Sequence, residues 1–66
     1  MKIKIIKEIF TEEDAIGNIM KGTIFTDDDR EENCISAYWK DESISLTFKN
    51  TPDLRINIFK DEYEII

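Results

Sequence analysis

The sequence predicts a mainly β domain, a small antiparallel meander expected to close on itself as a barrel. Three observations predict it. Residues Cys34 to Ile66 hold three runs in which apolar and mostly polar side chains alternate. The stretches between these runs have hairpin length and turn-forming composition. The chain is also rich in β-branched isoleucine, with thirteen Ile against two Leu and no Val. Successive strand residues point to opposite faces, so each run presents one apolar and one wetter face.

Taken in order, Lys2 to Phe10 begins as a strand, with Ile3 and Ile5 alternating with Lys2 and Lys4. The pattern shifts at Ile6, Ile9 and Phe10, so a bend or end is expected near Lys7. Residues 12–21 support two readings. Thr11 as N-cap, Glu12-Glu13-Asp14 in a first turn, an Ile16-Ile19-Met20 stripe and a stop at Gly22 describe a short helix. That reading gives an α+β alternative, one short helix packed on a four- or five-stranded antiparallel sheet. Gly17 and Asn18 weaken a helix this short. The other reading is an acidic loop, then a strand from Ile19 to Thr26 that turns at Lys21-Gly22. Thr23 to Thr26 is a strand on both.

Asp27 to Asn33 has no apolar residue and reads as an exposed charged loop. After it come the three runs. If Lys40 to Ser43 is a loop, Trp39 faces Ile44, Ala37 faces Leu46 and Ile35 faces Phe48. If Lys49 to Asp53 is the next loop, Phe48 faces Leu54, Leu46 faces Ile56 and Ile44 faces Ile58. Every one of these falls on one face, and Pro52 sits in the turn. Tyr63 and Ile65 extend that face after Lys60-Asp61-Glu62. Trp39 is expected to be the largest buried side chain, with Ile3, Ile5, Ile16, Ile19, Met20 and Ile24 covering the sheet.

At 66 residues the chain is expected to be a single domain over residues 1–66. Domains of this size bury about 60% of their unfolded surface and are marginally stable. The net charge is −6 with no histidine, which disfavours direct nucleic-acid binding and favours a partner with a basic surface. One cysteine excludes an internal disulfide and suits a reducing compartment. No run of apolar residues is long enough for a membrane span, and no signal peptide is read at the start, so a cytoplasmic location is expected. The scarcity of Arg, Ala and Gly beside abundant Ile, Lys and Asn suggests an AT-rich coding genome.

No complete catalytic, metal or cofactor signature is present, and no enzyme activity or cofactor is expected. Asp27, Asp29 and Glu31 have the alternate spacing of the first EF-hand ligands. The pattern fails where Glu32 replaces the turn glycine and Tyr38 replaces the bidentate glutamate. Cys34 has no histidine to activate it and no second cysteine for zinc. Two binding surfaces remain. Tyr38, Arg55 and Phe59 fall on the face opposite Trp39 and belong to residue types favoured at binding hot spots. Asp27, Asp28, Asp29, Glu31 and Glu32, with Glu12, Glu13 and Asp14, form acidic segments that can meet a basic partner.

The segments Met1 to Lys7, Lys21-Gly22-Thr23-Ile24-Phe25 and Glu62-Tyr63-Glu64-Ile65-Ile66 resemble small SH3-like β-barrel proteins of phages and mobile elements of Gram-positive bacteria. The resemblance implies a five-stranded barrel and a non-enzymatic accessory role. It does not carry an aromatic-rich groove for proline peptides. Three functions are therefore open: a binding module that modulates a host or phage protein, an acidic inhibitor that imitates nucleic acid, and a structural oligomer formed through edge strands. The oligomeric state expected is monomer or weak homo-oligomer.

Overall fold

The computed structural model describes residues 1–28, 33–49 and 51–66. Among the described residues it is all β, with six strands: β1 (Lys2–Ile5), β2 (Ile24–Thr26), β3 (Asn33–Tyr38), β4 (Ile44–Phe48), β5 (Thr51–Ile58) and β6 (Tyr63–Ile65). They form one sheet in the order β5-β4-β3-β2-β1-β6. The expected meander is present as β3-β4-β5, but the sheet is mixed rather than wholly antiparallel. β2 and β3 run parallel, joined at Thr26 and Cys34.

The sheet curls around its apolar face. Ile3, Ile5, Phe25, Ile35, Ile44, Leu46 and Ile58 come from five different strands and share one buried core with Ile9 and Ile19. The overall extents are 25 × 24 × 21 Å, whereas a flat sheet with one layer of side chains has one dimension near ~10 Å. The edge strands β5 and β6 are successive in the chain. A tight turn joins them, closed by the Glu62 N–H donating to the Phe59 carbonyl at 2.9 Å. The two edges therefore meet at one end. Among the described residues no ladder joins them, so the expected barrel closure is not made by strand pairing.

No helix forms at residues 12–21. The Glu13 carbonyl accepts from the N–H groups of Ile16 and Gly17 at 3.0 and 2.9 Å, a single turn. Gly17 then takes φ +70°, the left-handed conformation that ends helices. The chain returns through a two-way bridge between Ile9 and Ile19, at 2.8 and 2.9 Å. This buries both isoleucines at the mouth of the sheet. The second turn is at Gly22, with φ +94°. The expected strand from Ile19 is thus a bridge and a turn, with regular pairing only from Ile24.

The expected core needs three corrections. Phe25, not Ile24, points inward, because Phe25 pairs with buried Ile3 while Ile24 pairs with outward Lys4. Met20 is exposed and Ile16 half-buried. Trp39 is 54% exposed and Phe25, fully buried, takes its place as the largest core side chain. Phe25 meets Phe48 edge to face, with ring centroids 5.6 Å apart.

The displacement of Trp39 follows from a β-bulge. Ile35 pairs with Leu46, but Ala37 pairs with Ser45 and Tyr38 with Ile44. Ser36 is the extra residue, and its hydroxyl donates to the Ser45 carbonyl at 3.1 Å. A bulge sets two residues against one and so inverts the alternation beyond it. Ala37 and Trp39 are moved to the outer face and Tyr38 to the side of Ile44. In the β4–β5 ladder, Ile44–Ile58 and Leu46–Ile56 pair as expected. The expected Phe48–Leu54 pair is replaced by Phe48–Thr51 across a second irregularity. Pro52 consequently lies in β5, not in a turn. It occupies an edge strand at a bulge, where a missing N–H costs no ladder bond.

Candidate functional site

The outer face of β3-β4-β5 holds an organised polar cluster. The Trp39 indole N–H donates to the Ser45 hydroxyl at 2.9 Å, and Ser45 donates to the Asn57 side-chain oxygen at 2.6 Å. The chain of bonds crosses all three strands and fixes the indole. Ser45 and Ser43 are buried although they lie on the outer face. Ser43 gives both its backbone N–H and its hydroxyl to Asp41 Oδ1, at 3.0 and 2.6 Å. These bonds favour the ionised carboxylate and hold the Asp41 carboxyl below its ordinary range, the hydroxyl bond contributing most.

Phe59 follows inward-facing Ile58, so it projects from the outer face and is 59% exposed. Its N–H donates to Glu62 Oε1 at 3.0 Å. Arg55 pairs with Thr47 on the same face and is exposed. The flanking charges are mostly paired: Lys60 with Glu42 at 3.6 Å, Lys7 with Asp61 at 3.0 Å and Lys4 with Glu64 at 3.2 Å. The Lys7 bond and charge hold the Asp61 carboxyl low as well.

Of the expected surface, the structure places Arg55 and Phe59 on the outer face but not Tyr38. Tyr38 lies beyond the Ser36 bulge on the Ile44 side, half exposed. Partial burial, and then the charge of Asp27, push its hydroxyl above the usual range. Asp27 forms an ion pair with the amino terminus at 3.0 Å. The Asp28 N–H donates to the Thr26 hydroxyl at 3.3 Å. Asp29, Glu31 and Glu32 lie outside the described residues. Glu12, Glu13 and Asp14 are exposed on the β1–β2 connection. Alternation alone assigns Trp39 to the core, so sequence reasoning missed the residue that anchors the outer face. The usable signal was the serine-rich strip Ser43-Ser45, a polar floor able to hold an indole N–H.

Among the described residues, no group of three or more Cys, Asp or Glu side chains is placed to hold a metal ion. No helix among them is long and apolar enough to cross a membrane. No family model, curated protein or solved structure matches the chain.

Proposed function

We propose that the chain is a small acidic, non-catalytic binding module that docks on a protein partner through the outer face of β3-β4-β5. The observation that carries this reading is the exposed indole of Trp39, held in place through Ser45 and Asn57. A large aromatic with little freedom left to lose is the kind of side chain that dominates binding energy. Phe59 and Arg55 supply further contact area on the same face. The net charge of −6 favours a partner with a basic surface.

The curled sheet, with one turn joining its two edges, supports an SH3-like small-barrel architecture left open between β5 and β6. With the segment resemblance, it favours a cytoplasmic accessory role in a phage or mobile element, modulating a host or phage protein. The second reading is imitation of nucleic acid through the acidic segments of the chain.

Capture from a lysate of the source cell tests the site. The wild-type chain should retain a partner that Trp39→Ala/Phe59→Ala loses and Asp27→Asn/Asp28→Asn keeps. The reverse pattern would move the binding surface to the acidic loop.

A further inference from the structure

The outer face also defines the chemistry of what it holds. The Trp39 N–H donates to the Ser43 carbonyl at 3.0 Å, which sets Trp39 beside Ser43. Ser43 is one step beyond the Ile44–Ile58 pair, which sets Phe59 on its other flank. With strands spaced ~4.8 Å, the two aromatic residues stand about 10 Å apart across β4. Both residues are more than half exposed, and the indole of Trp39 leans along β4 toward Ser45. Between them lies Ser43, and bonded to Ser43 is the Asp41 carboxylate. Beside Phe59 lies Glu62, held by the Phe59 N–H.

These two carboxylates differ from their neighbours. Glu42, Asp61 and Glu64 each have a lysine. Asp41 and Glu62 have hydrogen-bond donors but, among the described residues, no ion-pair partner. We propose that Trp39, Asp41, Phe59 and Glu62 form a receptor for one arginine side chain of the protein partner. This rests on the outer face being the binding face. A guanidinium is planar, weakly hydrated and rich in donors, so it can stack on an aromatic ring while its N–H groups reach a carboxylate. Lysine offers the charge without the plane. The acidic balance of the chain adds long-range attraction for such a group.

Trp39 is the sole tryptophan, so its fluorescence reports on the site directly. The probes are blocked pentapeptides of glycine with a central arginine, lysine or citrulline, citrulline being the uncharged isostere of arginine. The arginine peptide should give a saturable change, at least about tenfold tighter than citrulline and weakened by salt. Asp41→Asn and Phe59→Ala should each weaken it several-fold while circular dichroism shows the fold retained. Equal binding of the citrulline peptide overturns the arginine receptor and leaves the face as a binding site for neutral peptides. Equal binding of lysine overturns the stacking role. No response to any peptide overturns the receptor, while the lysate capture separately decides whether the face binds at all.

Discussion

The indole N–H of Trp39 and the hydroxyl of Ser45 meet at 2.9 Å on the face of the sheet turned away from the core. Ser45 is almost fully buried there, and it passes the bond on to Asn57. The contact exists because the Ser36 bulge carries Trp39 across to that face. It joins the sequence pattern to both the fold and the proposed function.

Ser45→Ala should therefore release the indole without unfolding the protein. Two hydrogen bonds are lost, at about 0.5–1.5 kcal/mol each, and the total should sit at the low end because water can serve both the half-exposed indole and exposed Asn57. The expected readout is a red-shifted tryptophan emission with lower anisotropy and a small drop in melting temperature. Unchanged emission and anisotropy would show that the bond does not fix the ring.

The core and the outer face should respond very differently to truncation. Phe25→Ala removes the largest buried side chain and should cost ~3–5 kcal/mol. A domain of this size holds only about 3–5 kcal/mol in total, so the variant should be unfolded at room temperature. Trp39→Ala loses half-buried area and one hydrogen bond, about 1–2 kcal/mol, and should melt cooperatively. Urea titrations followed by circular dichroism compare the two. A larger loss for Trp39→Ala would return Trp39 to the core.

What was legible in the sequence was whatever depends on alternation alone. Ile44–Ile58 and Leu46–Ile56 pair as read because no residue interrupts the two strands between them. The failures begin where the loop or one extra residue shifts the register: Tyr38 rather than Trp39 meets Ile44, and Ile35 meets Leu46 rather than the expected Phe48. Ser36 inverts Ala37, Tyr38 and Trp39, and nothing local marks a serine as a bulge. Phe25 was missed because β2 is three residues long, too short for a period to show. The candidate face was legible in Arg55 and Phe59, which follow the uninterrupted part of β5. The placement of Trp39 and Asp41 was not, since it depends on bonds to Ser45 and Ser43 that only the folded loop creates.

Strand β5 is an exposed edge eight residues long, and its first half carries the features that discourage edge pairing. These are Pro52, the irregularity opposite Thr47 and Phe48, and the exposed charges of Asp53 and Arg55. Pro52→Val with Asp53→Val should speed aggregation, measured by light scattering at elevated temperature. Its midpoint in urea should move little, because surface changes away from the core are usually within about 0.5 kcal/mol. Aggregation at the parent rate would mean that the edge is guarded by something other than these two residues.

The pH profile of stability should fall at both ends, for opposite reasons. Asp41 and Asp61 have folded pKa values below the unfolded value of 3.8, through the Ser43 hydroxyl and the Lys7 ammonium respectively. A depressed folded value means that the native state holds its proton less tightly. The contribution is therefore present above pH 3.8 and is lost as the pH falls through the folded values. Both groups are at the surface, so the acid limb should be shallow and should flatten further in salt. Tyr38 and Tyr63 behave the other way. Burial raises both above 10.0, with Asp27 adding to Tyr38 and Glu42 to Tyr63. The native state then holds the phenol proton more tightly, and stability is present below pH 10.0 and lost as the pH rises through the folded values. The chain has no histidine, so no imidazole step should divide the two limbs. Urea midpoints measured from acid to alkaline pH should show this shape. Asp41→Asn/Asp61→Asn should lose part of the acid limb and keep the alkaline one. Tyr63→Phe should do the reverse, with a pH-independent loss from the bond between its hydroxyl and the Glu42 carbonyl, 2.6 Å long in the native fold. An acid limb of full depth in the double Asn variant would place the acid-sensitive groups elsewhere.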